Sequence, residues 1–216
     1  MKSAMVIGST GLVGEYLIST LAKSKSFEKV IALVRRPYFE HYENVDEVVL
    51  DFNKEDPFGS LKKADHVFCC LGSTIRKAGS KKEFRFVDFH LPVLFAKWAK
   101  KNNCDTFSLV SSVGADSKSK IFYNRTKGDV EEEIKKFSFL KTQIFRPSLI
   151  MGKRNEFRPG ELLGKGVFTL LNPLMVGTLK KYKAIHARDI AQGMVGHLSK
   201  NQYGVKVVES NEIMIF

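Results

Sequence analysis

A short apolar run, Ala4–Ile7, breaks into Gly8-Ser9-Thr10-Gly11-Leu12-Val13-Gly14, and apolar residues then return at helical spacing as Leu12, Val13, Tyr16, Leu17 and Leu21. This order confines the start of the chain to a buried strand, a tight turn and a helix. Each glycine has its own task. Gly8 permits the turn, Gly11 removes a Cβ that would hold the backbone away from a ligand, and Gly14 lets helix and strand pack closely. The helix N-terminus then presents unpaired N–H groups and partial positive charge, which suit a pyrophosphate. Ser9 and Thr10 can add hydroxyl donors.

Strand and helix alternate along the rest of the chain. Residues 30–34, 48–50 (running into Asp51-Phe52), 66–71 (ending at Gly72), 106–111, 141–146 and 205–208 read as strands. Residues 82–101 read as an amphipathic helix carrying Phe86, Phe89, Val93, Leu94 and Trp98, which Pro92 kinks unless it lies near the start. Residues 123–137 form a second helix with an acidic middle, Asp129 to Glu133. A third starts at Arg158-Pro159-Gly160, runs to Leu171 and is ended by Pro173. Asp189 is expected to cap a fourth over residues 190–199. Uninterrupted apolar strands are buried on both faces. The expected class is therefore α/β: a doubly wound, mostly parallel sheet of Rossmann type, with helices on both faces and a small C-terminal substrate lobe. No linker divides the 216 residues, so the reading is one domain, 1–216, with 149–183 as a substrate lip within it.

A dinucleotide loop is ordinarily followed, about 20 positions on, by an acid that binds the ribose 2′-hydroxyl. Here Leu33-Val34 is followed by Arg35-Arg36, with no acid before Glu40. Two guanidinium groups suit a 2′-phosphate, so NADP is expected in preference to NAD.

Tyr123 and Lys127 are four residues apart at the start of a helix and share one face. An ammonium ~4 Å from a phenol oxygen, at an effective dielectric of ~20, favours the phenolate by ~4 kcal/mol before desolvation is subtracted. Tyr123 then serves as general acid or base, and Lys127 assists it and can hydrogen-bond the nicotinamide ribose. A hydroxyl at the end of the fifth strand, Ser112 or its neighbour Ser111, can hold a substrate carbonyl.

The Gly-x-x-Gly-x-x-Gly spacing resembles the extended and atypical branches of the short-chain dehydrogenase/reductase superfamily. Ser111-Ser112-Val113-Gly114-Ala115, residues 122–128 (Phe-Tyr-Asn-Arg-Thr-Lys-Gly) and Glu131 resemble the Tat-interactive-protein-like oxidoreductases within it. Residues 69–74, 77–80, 146–149 and 185–189 extend the likeness over most of the chain. The resemblance implies NADP binding and a serine–tyrosine–lysine site. It also implies an adenine contact at Asp51 and Phe52, passage of the coenzyme ribose by Leu71, Gly72 and Ser73, and contact of Pro147 and Ser148 with the nicotinamide amide. The chain departs from the common pattern in three places. Its serine lies closer to the tyrosine, Cys70-Leu71-Gly72 replaces Asn-Ala-Gly, and the helix-4 asparagine of the usual proton relay is missing. Asp88 and His90 are the nearest polar candidates, and proton delivery can run through water or another side chain.

The formal net charge of +12 is spread over separated lysine groups with no base-reading motif, so nucleic acid is not the expected partner. The expected partner is a small molecule with a carbonyl or hydroxyl group. In the lip, Arg154, Phe157, Arg158 and Phe168 can contact an anionic or aromatic one. The five histidines show no ligand spacing, and no metal is expected. No secretory segment or membrane span is apparent. The three cysteines read as small buried hydrophobes in a reducing cytosol, hence a cytoplasmic location. The Phe86, Phe89 and Val93 stripe serves a homodimer face or packing within a monomer. The expected function is NADP-dependent hydride transfer to or from a carbonyl or alcohol carbon. The alternative is an NADPH-binding regulatory or interaction protein.

Overall fold

The computed structural model describes residues 2–39, 42–52, 54–59, 61–152 and 177–216. Among them, seven strands form one sheet: β1 (Lys2–Ile7), β2 (Phe27–Val34), β3 (Val45–Val49), β4 (His66–Cys69), β5 (Thr106–Val110), β6 (Lys141–Arg146) and β9 (Gly204–Glu209). Their order is β3-β2-β1-β4-β5-β6-β9, and every neighbouring pair is parallel. Two further strands, β7 (Ile150–Met151) and β8 (Ile185–His186), pair in parallel and bring together the two ends of the expected lip.

Alternation along the strands explains the two layers. Ala4, Val6, Val30 and Ala32 face one core, against α1 (Leu12–Ala22) and α6 (Ala187–Gly196). Met5, Ile7, Ile31 and Leu33 face the other, against Phe95 and Trp98 of α4 (Leu91–Lys101) and Val130 and Ile134 of α5 (Phe122–Lys136). Successive side chains point to opposite faces, so a strand apolar throughout has to be covered twice. Phe89 and Val93 of the aromatic stripe pack against this second core, and Phe86 stays at the surface. The expected helix over 158–171, with Arg154, Phe157, Arg158 and Phe168, lies outside the described residues.

Several details differ from expectation, among them β2, which starts at Phe27 and not at residue 30, and β4, which ends at Cys69 and not at residue 71. The third strand ends at Val49 and starts three residues earlier than expected, at Val45. The N-cap of α6 is His186, whose Nδ1 accepts from Arg188 N–H at 3.2 Å, and Asp189 sits in the first turn instead. Before α4 come two short helices, α2 (Ile75–Ala78) and α3 (Lys81–Arg85), and then a widened π turn over Phe86–His90. There Leu91 N–H reaches back five residues to the Phe86 carbonyl. Pro92 follows with no N–H to give, and the wide turn absorbs the missing bond ahead of α4. The proline therefore starts α4 and does not kink it.

His66 lies buried at the base of β4, with Nδ1 2.6 Å from the Thr106 hydroxyl and its ring edge-on to Phe27. Burial, aided by the charge of Lys2, lowers its pKa to about 4. The unfolded chain therefore binds the extra proton first as pH falls below about 6.5. Stability present above that pH is lost on the way down to pH 4, by about 3 kcal/mol from this group. Urea unfolding at pH 7 and pH 4 should show the loss, and His66→Gln should remove that part of it. An unchanged pH slope in the variant would assign the loss to other groups.

Candidate active site

A cleft of about 790 Å³ opens at the carboxyl ends of the central strands. Of the expected residues, Thr10, Gly11, Leu12, Val13, Arg35, Arg36, Leu71, Gly72, Ser73, Tyr123 and Lys127 line it together. Glu15, Tyr38, Cys70, Lys77, Val110, Ser111 and Ile150 complete the wall. Open parallel sheets bind ligands in this crevice, where the strand order reverses beside β1.

Gly8 has φ +76°, and a Cβ there would lie 2.6 Å from the Cys70 carbonyl carbon at the end of β4. A Cβ at Gly14 would lie 2.1 Å from Gly8 O, so α1 rests directly on the turn. Gly11 is the N-cap of α1 and makes no side-chain capping bond, and a Cβ there would meet only Gly8 O, at 3.2 Å. The open helix end beside a roomy cleft fits a dinucleotide diphosphate. Ser9 has a different task from the one expected. It is buried, and its hydroxyl donates to Leu33 O at 2.8 Å, tying the loop to β2.

Lys127 is almost wholly buried in α5, with Nζ 2.7 Å from Asp88 Oδ1. Asp88 stands on the π turn, fully buried, and its Oδ2 accepts from Ser73 N–H at 2.9 Å. The widened turn thus joins the β4 loop to α5. Burial pushes Lys127 down, but the Asp88 carboxylate outweighs it and holds the ammonium above the usual lysine range. His90, the other polar candidate, is exposed and packs edge-on to Phe89. The Tyr123 ring is half-buried against Phe84, with centroids 5.5 Å apart. Asp116 N–H, in the loop after β5, donates to Asn124 O at 3.1 Å and so pins that loop to the start of α5.

The two serines divide otherwise than expected. Ser112 does not line the cleft, and its hydroxyl makes only a 3.3 Å bond to Val113 O. Ser111 does line it, but its hydroxyl donates to the buried carboxylate of Glu131. Arg146, at the end of β6, grips the same carboxylate through Nε at 3.0 Å and Nη2 at 2.6 Å, and reaches Glu209 at 3.2 Å. The hydrogen bonds to Glu131 hold the Arg146 guanidinium above its usual value. The acidic run on α5 concealed this network. The spacing of Glu131 from Lys127 places both on the buried face.

Asp51, Phe52, Pro147 and Ser148 do not line the cleft. Phe52 packs edge-on to Phe58. Pro147 O accepts from Val113 N–H, and Ser148 is tied to Ser210 and to Lys183 O. All three cysteines are free thiols. Burial pushes Cys69 up to about 12 and also raises Cys70, which keeps both protonated. Among the described residues, no helix is long and apolar enough to cross a membrane.

Residues 4–209 match the NAD dependent epimerase/dehydratase family. The chain belongs to this family. Within it, the chain is 37% identical to the Rattus norvegicus protein HTATIP2 over 171 residues, 77% of this chain and 70% of that one. It is 31% identical to the FMP52 protein of Eremothecium gossypii, over 98% of this chain and 96% of that one. These relatives bear out the Tat-interactive-protein-like resemblance. Among solved structures, MoeE5 in complex with UDP-glucuronic acid and NAD superposes with a TM-score of 0.70 at 16% identity, covering 96% of this chain and 75% of that one. The oxidoreductase ylbE of Lactococcus lactis gives 0.69 at 17%, covering 99% and 95%. Both share the doubly wound fold of this family member. The expected cytoplasmic location is overturned, because the FMP52 proteins of Eremothecium gossypii and Debaryomyces hansenii, 31% and 34% identical, are named as mitochondrial. Free thiols are compatible with more than one compartment, so cysteine usage carried no address.

Proposed function

We propose that the protein is an NADP-dependent oxidoreductase acting on a carbonyl or alcohol carbon of a small molecule, with the chain working as one coenzyme-binding unit and residues 149–183 as its substrate lip. The observation that supports this reading is one cleft that holds the glycine loop, the Arg35–Arg36 pair, Tyr123 and Lys127. The coenzyme supplies or takes the hydride. Arg35 and Arg36 bind the 2′-phosphate, and the α1 N-terminus binds the diphosphate. Tyr123 Oη gives a proton to the carbonyl oxygen on reduction or takes one on oxidation, while Lys127, positioned by Asp88, hydrogen-bonds ribose. Ser111 is the serine nearer the reacting centre, with its hydroxyl proton committed to Glu131. That commitment, and the turning of Ser112 to its own loop, favour a second reading in which NADPH is a structural ligand of a regulatory protein.

An NADPH-oxidation screen over aldehydes, ketones and quinones separates the two. Tyr123→Phe is expected to lower turnover by about 10²-fold or more with NADPH binding retained. Turnover surviving that change would defeat the tyrosine's role. NADPH binding without turnover of any carbonyl would favour the second reading. Arg35→Ala should weaken NADPH more than NADH, and an equal loss would reject the phosphate role.

A further inference from the structure

No acid stands at the end of β2, but a carboxylate from α1 reaches the segment that follows it. Glu15 directly follows Gly14 in the first turn of α1, and its N–H donates to Gly11 O at 2.8 Å, so the glycine loop fixes its place. Both Glu15 and Tyr38 line the cleft together with Arg35 and Arg36. The Tyr38 hydroxyl donates to Glu15 Oε1 and holds that carboxylate beside the segment that follows β2. The segment is itself pinned, since Tyr38 N–H and Phe39 N–H donate to the Glu47 carboxylate on β3 at 2.9 and 2.7 Å. The hydrogen bond to Glu15 also raises the Tyr38 phenol above its usual range.

We infer that Glu15 is a coenzyme-selecting residue, whose carboxylate, anchored by Tyr38 next to the two arginines, opposes a ribose 2′-phosphate and accepts a hydrogen bond from a free 2′-hydroxyl. This rests on the proposed placing of the coenzyme ribose by Arg35 and Arg36. A 2′-phosphate is drawn by two cations and repelled by one anion. A 2′-hydroxyl finds the acceptor that a dinucleotide site ordinarily takes from the end of its second strand. The preference for NADP is thereby moderated, and NAD remains a working ligand.

The test is fluorescence titration of NADPH and NADH, at one low ionic strength, on the full chain and its variants. Thermal unfolding without coenzyme confirms that each variant folds. Glu15→Gln is expected to tighten NADPH and weaken NADH, raising the ratio of the two affinities about tenfold. Glu15→Lys should raise it further. A ratio unchanged in both variants, or moved toward NADH, overturns the inference while NADPH binding itself still stands. A wild-type protein that binds neither coenzyme overturns both the inference and the proposed function.

Discussion

Asp88→Ala is expected to destabilise the protein by about 3–5 kcal/mol, because it strands the Lys127 ammonium without a partner. The two side chains are only 5% and 0% exposed, so the ammonium is left with little solvation to offset the lost carboxylate. The Ser73 N–H loses its acceptor as well. Asp88→Asn separates these effects, since an amide oxygen can still accept from Ser73. The pH dependence carries the diagnosis. With Asp88 in place the Lys127 pKa is raised, so the stability the pair contributes is fully present below the ordinary lysine value of about 10.4 and is lost only as pH rises through the higher folded value. In Asp88→Asn the carboxylate no longer offsets burial, only the lesser upward pull of Tyr123 and Cys69 remains, and the neutral amine is favoured. The sign then reverses, and stability rises with pH as the amine releases its proton. Urea unfolding between pH 7 and pH 10 should therefore be flat in this respect for the wild type and should climb for the variant. A loss under about 1 kcal/mol with parallel pH curves would mean that the pair is solvated.

Gly14→Ala is expected to be more damaging than a helix propensity scale suggests. Alanine is the better helix former, by about 1 kcal/mol. Its Cβ, however, would stand 2.1 Å from Gly8 O and 2.8 Å from Ser9 Cα, both in backbone that cannot rotate aside. Gly8 is itself pressed on Cys70 and Leu71, so relief requires α1 to move off the sheet. The expected cost is above about 4 kcal/mol, at the far end of single-residue effects, together with loss of coenzyme binding. A variant that melts within a few degrees of the wild type and still binds NADPH would contradict this packing.

The strands around the cleft were readable from the chain because both faces of each are buried, leaving apolar runs with no competing period. Their ends were readable from glycine and proline. What was not readable depends on contacts across the fold. Ser111 and Ser112 look equivalent in a sequence. One faces Glu131 and the other its own loop only because α5 crosses β5 where it does. Asp88 was a candidate by position, but its burial follows from the π turn that Pro92 imposes, which a helical period does not announce. Glu15 escaped notice because the ordinary ribose acid lies at the end of the second strand, and here a carboxylate arrives from the first helix. Asp51 and Pro147 were placed by likeness to a family, and likeness does not say which backbone groups their neighbours have already engaged.

The contact of Gly8 with Cys70 and Leu71 has a consequence for biosynthesis. The proposed diphosphate cradle is not a local motif, since its floor is backbone some 62 residues further along the chain. A nascent polypeptide emerging from the ribosome would display the glycine turn early, yet would have no affinity for dinucleotide until β4 had been made and docked beside β1. An excised β1–α1–β2 fragment should be equally blind to it. From that moment onward the metabolite itself would act as a folding aid, because a ligand that binds only the assembled cradle draws the population toward it.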